Sequence, residues 1–182
     1  DYRDEPSAAM SPAEIDIILK PDVRTVRRVP WAAEPTAQVI HDCFYADGRR
    51  VKMAPREVLR HVLDLYAAKG WDPVVAPELE FYLVEPNIDA DYQLKPPVGR
   101  SGRAEPGRQS YSIAAVNEFD PLFDDVYQFC EDQDIEIDTL IHEDGPAQME
   151  INLLHGNALD LADQAFMFKR TAREAALRHK MY

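Results

Sequence analysis

Residues 74–86 read VVAPELEFYLVEP, and their period-two alternation admits one local structure, a β-strand with unlike faces. Val75, Leu79, Phe81 and Leu83 fall on one side as an apolar stripe, while Glu78 and Glu80 share the other with Ala76, Tyr82 and Val84. Successive same-face residues of a strand lie roughly 7 Å apart, so the two carboxylates stand side by side. Any fold containing this strand must bury the stripe and leave the acidic face to water or to cations, because two unpaired buried carboxylates raise their own pKa values or destabilise the chain. A solvated face meets that demand without a ligand. Two ions a few ångströms apart, as phosphoryl-transfer sites use, meet it with one.

A second segment, HEDGPAQMEIN from His142 to Asn152, poses the same choice. Before it, IEIDTLIH predicts a β segment with Ile135, Ile137 and Ile141 on one face; within it, Met149, Ile151 and Leu153 alternate against Gln148, Glu150 and Asn152. Asp144-Gly145-Pro146 favours a reversal between the two segments, which returns Glu143 and Glu150 to the same end of a sheet. Taken alone this is an ordinary hairpin, but Gln148 and Asn152 beside Glu150 are the partners a carboxylate ligand needs. An all-oxygen donor set selects hard cations, Mg2+ or Mn2+, over zinc.

The remaining chain frames these two segments. A polar opening stretch leads to β candidates near Ile15–Leu19, over Val23–Val29 and over Ala37–Tyr45, with a turn at Asp47-Gly48. Pro55 opens a helix in which Val58, Leu59, Val62, Leu63 and Tyr66 recur every three or four residues, and Gly70 suits its end. Residues 87–109 are rich in proline and glycine and form a long loop. A helix is predicted over Glu118–Gln133 with Phe119, Leu122, Phe123, Val126, Phe129 and Cys130 inward, and another over Asn157–Lys180 with Asn157 as its cap. The acidic stretch EDQDIEID reads as a solvated helix end and loop, and Arg24, Arg27 and Arg28 as a surface or subunit contact.

Composition excludes several classes. The 182 residues carry 33 acidic and 20 basic side chains, a net charge of −13, which argues against nucleic acid as a partner. No run approaches the roughly 20 apolar residues of a membrane span. Two cysteines, Cys43 and Cys130, build no disulfide scaffold, so a cytoplasmic setting is expected. His142 alternates away from Glu143 and reads as structural, and neither His41 nor His155 has a partner at metal spacing. No Cys–His pair or Ser elbow supports a covalent nucleophile. Asp1 in place of an initiating Met suggests a piece of something longer.

PELEFYLVEP and HEDGPAQMEIN resemble the two metal-ligand segments of the glutamine synthetase superfamily: a Glu-x-Glu strand, then a Glu seven positions before the Glu of a Gln-x-Glu-Ile-Asn strand. The intervening SGRAEPGRQSYSIAAVNEFDPLFDDVYQFCEDQDIEID and the trailing ADQAFMFKRTAREAALRH are also similar to that family, most of all to its γ-glutamyl-amine (polyamine or putrescine) ligase branch. The likeness runs from about Ile15 onward. It implies an α+β fold, with residues 1–53 the latter part of a β-grasp-like N-terminal domain. Residues 54–182 would be the opening part of a glutamine synthetase catalytic domain, an antiparallel sheet with packed helices.

The resemblance also implies roles. Glu80, Glu143 and Glu150 would hold one divalent ion and Glu78 would help hold a second, two Mg2+ or Mn2+ per site. Asp138 and the run from Leu153 to His155 would line the ATP site, and Tyr111 would stand near the amine pocket. The implied reaction joins the γ-carboxylate of L-glutamate to an amine through γ-glutamyl phosphate, in a homo-oligomer of stacked, dodecamer-like rings. A histidine, another glutamate and arginines are implied beyond Tyr182, and an Asp-bearing loop before Asp1, so this stretch by itself should bind metal weakly and not turn over. Three alternatives remain at this stage: a glutamine synthetase proper using ammonia, a non-catalytic structural relative, and an unrelated acidic Mg2+-binding hydrolase domain.

Overall fold

The computed structural model describes residues 16–182 apart from Ile88, Ala90 and Tyr92. The polar opening stretch and Ile15, where the first expected strand begins, lie outside the described residues. Contacts divide the chain into two units, the first comprising residues up to Val26 with Ala37–Pro73, the second Arg27–Thr36 with Val74–Tyr182.

In the first unit β1 (Ile18–Pro21) pairs antiparallel with β4 (His41–Phe44), Ile18 opposite Phe44 and Pro21 opposite His41. The expected β-run over Val23–Val29 is not one strand. Asp22 accepts the Arg24 amide at 3.2 Å and starts a 3-10 turn over Val23–Thr25, so the only strand left in that run is β2 (Arg27–Arg28). The Ala37–Tyr45 run likewise divides, into β3 (Ala37–Gln38) and β4. Pro55 opens α1 (Pro55–Ala67) as expected. Two aspartates bind this helix to the strands. Arg56 reaches Asp42 at 2.5 Å and Asp22 at 2.9 Å, and Arg60 reaches Asp42 at 2.7 Å. The hydrogen bonds from Arg24 and Arg56 hold Asp22 well below the usual carboxylate range. Burial pushes Asp42 up, but Arg60, Arg50 and Arg56 outweigh it and lower it overall.

The second unit is α+β. β6 (Glu78–Tyr82), β8 (Gln148–Leu153) and β7 (Ile137–His142) form an antiparallel sheet with β8 central. The long strand read over residues 74–86 breaks at Ala76-Pro77, and its first piece, β5 (Val74–Val75), pairs instead with β9 (Gly156–Asn157). Met149, Ile151 and Leu153, expected on one face, are each at most 1% exposed. The helices α3 (Asp120–Glu131) and α4 (Ala158–Arg178) pack on each other. Phe119, Leu122, Phe123, Val126, Phe129 and Cys130 are all buried as predicted, and burying such a side chain contributes about 1.5–3 kcal/mol. Phe81 of the sheet meets Phe168 of α4 with ring centres 6.4 Å apart.

The helix caps follow the sequence closely. Asn157 accepts the Leu159 and Asp160 amides at the start of α4. The helix expected from Glu118 starts at Asp120, and ahead of it lie a 3-10 turn (Asn117–Phe119) and a short α2 (Ile113–Val116) capped by Ser112. Gln133, read as solvated, is fully buried and donates to Phe129 O at 2.8 Å and Thr171 Oγ1 at 2.9 Å, tying α3 to α4. Trp31 packs on Phe129 with Arg170 over its ring, and Arg28 reaches Asp132 at 3.7 Å. Among the described residues, no helix is long and apolar enough to cross a membrane.

Two outcomes follow from this packing. Ile151→Ala is expected to destabilise the second unit by about 2–5 kcal/mol, read as a lowered urea midpoint. Because Asp22 and Asp42 titrate lower folded than unfolded, their stabilisation is present above about pH 4 and drains as pH falls below it. The urea midpoint should therefore fall between pH 6 and pH 3, and fall less in Asp42→Asn.

Candidate metal centre

The register of the three-stranded sheet decides which side chains meet. Glu78 stands opposite Asn152, Glu80 opposite Glu150, and Tyr82 opposite Gln148. From the other side, Thr139 faces Asn152, Ile141 faces Glu150, and the Glu143 amide donates to Gln148 O at 2.8 Å. Directly opposed residues share a face. All four glutamates therefore project from one surface in three successive rows: Glu78 in the first, Glu80 and Glu150 in the second, Glu143 in the third.

Their proximity has an electrostatic cost. Desolvation raises Glu143 from its ordinary value, and the charges of Glu150 and Glu80 raise it further, against an opposing pull from His142. Gln148 manages part of that crowding. Its Oε1 accepts from Gly145 N at 2.9 Å and from the Tyr82 hydroxyl at 3.1 Å, which fixes the amide so that Nε2 donates to Glu80 Oε2 at 2.7 Å. Gly145 must lack a side chain, since a Cβ there would come within 2.5 Å of the Tyr82 hydroxyl. The left-handed residue of the reversal is Ala147, at φ 54° and fully buried. Asn152, the other expected partner, donates instead to Thr139 Oγ1 at 2.9 Å.

The expected face for Ile135, Ile137 and Ile141 is corrected by a bulge. Ile137 pairs with Leu153 and Thr139 with Asn152, leaving Asp138 unopposed. The alternation changes phase there, so Leu140 and His142 turn to the core and Ile141 lies beside the glutamates. Asp138 and His155 are exposed near that end, where Leu154 N donates to Glu136 O at 2.9 Å. Leu153 differs: the whole residue is 1% exposed, with its side chain in the core and its amide donating to Pro77 O at 3.0 Å. At the opposite end Tyr111 is exposed, adopts φ 63°, and donates its amide to His142 O at 2.8 Å. His142 is fully buried, as its alternation implies. Its partner Glu105, 7% exposed inside an irregular loop, carries no periodic signal that would have singled it out.

Four carboxylates on one face, crowded enough to raise Glu143, are a donor set whose chemistry fits hard divalent cations. As they stand, no three acidic, histidine or cysteine side chains among the described residues come close enough together to hold an ion. Glu80 is held by the Gln148 amide.

Residues 52–182 match the family described as glutamine synthetase, catalytic domain. The chain is 36% identical over 158 residues to the γ-glutamylputrescine synthetase of Escherichia coli strain K12, covering 84% of this chain and 33% of that protein. It is 32% identical over 170 residues to the glutamate–isopropylamine ligase of a Pseudomonas species, covering 91% and 36%. The ligand-free GmaS structure superposes with a TM-score of 0.75 at 27% identity, covering 94% of this chain and 38% of that one. The chain thus spans about a third of the length of the curated relatives it matches.

Removing the side chain that holds Glu80 tests the centre directly. Gln148→Ala is expected to weaken Mn2+ binding about tenfold by calorimetry while the melting curve stays in place.

Proposed function

The chain belongs to the glutamine synthetase family, and from that premise we propose that it forms part of an enzyme joining the γ-carboxylate of glutamate to an organic amine with ATP. In this reading residues 54–182 are the opening part of the catalytic domain and residues 1–53 the latter part of a β-grasp-like N-terminal domain. The intact protein is a cytoplasmic homo-oligomer of stacked rings. Relatives named for putrescine and isopropylamine favour an organic amine over ammonia. Family membership removes the unrelated hydrolase alternative.

The observation that carries the proposal is the order of residues along one sheet surface. Asp138 and His155 lie at the Glu78 end, Glu80 and Glu150 sit in the middle row, and Glu143 with Tyr111 lies at the other end. A reaction that passes a phosphoryl group from a nucleotide to glutamate and then accepts an amine needs this sequence of subsites. Glu80, Glu143 and Glu150 would hold one Mg2+ or Mn2+, and Glu78 would help hold a second. Such ions supply positive charge between two anionic substrates, whose repulsion in a low-dielectric cleft is worth several kcal/mol. Four carboxylates against two dications leave the face neutral before substrate arrives.

The residues of this chain bind and orient; the bonds change between substrates. A γ-carboxylate oxygen of glutamate takes the terminal phosphoryl group as ADP leaves, and the amine nitrogen then displaces phosphate, losing a proton to form the amide. Tyr111 would border the amine. The run from Leu153 to His155, exposed at Leu154 and His155, and Asp138 would border the nucleotide.

The test is phosphate release by the full-length protein with ATP and glutamate, comparing putrescine, a monoamine and ammonia. An organic amine is expected to support faster release than ammonia; ammonia alone as substrate would make it a glutamine synthetase proper, and no release with any acceptor would leave a non-catalytic relative. Glu80→Ala is expected to lower turnover about 10²–10³-fold with an unchanged melting curve. Ordinary activity in that variant would overturn the site assignment.

A further inference from the structure

Beneath the sheet, the segment carrying Tyr111 is fastened to the hairpin carrying Glu143. Glu105 Oε1 lies 2.5 Å from His142 Nε2, and both side chains are buried. The other nitrogen of that imidazole, Nδ1, stands 2.6 Å from the main-chain oxygen of Glu143. A carbonyl oxygen only accepts, so Nδ1 carries a proton and donates. Nε2 thus faces the Glu105 carboxyl within ion-pair distance.

The same two residues organise the neighbouring backbone. His142 O accepts the Tyr111 amide at 2.8 Å, Asp144 O accepts the Arg108 amide at 2.6 Å, and Gln109 Nε2 donates to Glu105 Oε1 at 3.2 Å. Arg108 and Tyr111 both sit in the left-handed region, at φ 64° and 63°. Residues other than glycine hold that conformation when their surroundings impose it. His142 therefore has three attachments: its ring to Glu105, its ring to the Glu143 backbone, and its carbonyl to Tyr111.

We propose that Glu105 is a positioning residue which, through His142, sets Tyr111 and Glu143 at the amine end of the surface. The inference rests on the ligase reading for its functional consequence, but the clamp itself can be tested without turnover. In full-length protein, hydrogen exchange at the Arg108 and Tyr111 amides is expected to quicken about tenfold in Glu105→Gln, with the α4 amides unchanged. Gln109→Ala removes one donor from a partly exposed position, and should shift the same amides in the same direction by a smaller factor even if Glu105→Gln does not fold. Unchanged exchange in the folded variants would overturn the proposal whether or not the protein is a ligase.

The kinetic arm separates positioning from mere stability. In Glu105→Gln the KM for the amine is expected to rise about tenfold while the KM for ATP changes less than about twofold, because Asp138 and His155 lie at the other end. His142→Gln should show the same split, and the double variant should be no worse than the poorer single one. Equal loss toward amine and ATP, or a lowered melting temperature with kinetics intact, would sink the positioning role. A wild-type protein without amine-dependent phosphate release would instead defeat the ligase reading and leave the exchange result to judge the clamp.

Discussion

Like charges held on one sheet surface are the constraint on which the rest of the second unit depends. Glu80 faces Glu150 across a β ladder, and Glu143 feels both. Such a face is balanced by the opposite face of the central strand, where Met149 and Ile151 are inaccessible. The core contributes free energy that the acidic surface partly consumes. The surface cannot relax by shifting register, since a slip of one residue would exchange the two faces.

Much of this was legible beforehand, for identifiable reasons. Strict alternation in Gln148–Leu153 left no doubt which side of β8 was inward, and the 3.6-residue recurrence of Leu122, Phe123, Val126, Phe129 and Cys130 marked α3 equally well. The cap at Asn157 follows from a side-chain oxygen placed where amides lack partners. The hairpin that returns Glu143 and Glu150 to one end of the sheet was legible through its Asp-Gly-Pro reversal.

What escaped notice did so because it depends on partners distant in the chain. Gln133 looks solvated in its acidic neighbourhood, and only the approach of Thr171 makes it a buried crosslink. Glu105 sits in a loop without period, and its partner lies 37 positions later, on a strand where a histidine has no obvious use. The 3-10 turn after Asp22 reflects a local competition in which a carboxylate captured an amide that a strand would otherwise have used. Leu153 shows the converse: an outline of binding residues drawn from consecutive positions ignores that every second side chain of a strand points the other way.

The unopposed Asp138 has a consequence for how this strand can vary. Side-chain parity is reset at that point, so Ile137 and Leu140 both serve the interior although they are three positions apart. The two halves of the strand are thus edited under separate rules, one next to the exposed loop and the other beside the glutamates. A lineage could retune the first half, changing which contacts the backbone offers there, without disturbing the phase that keeps Glu143 in line with Glu150.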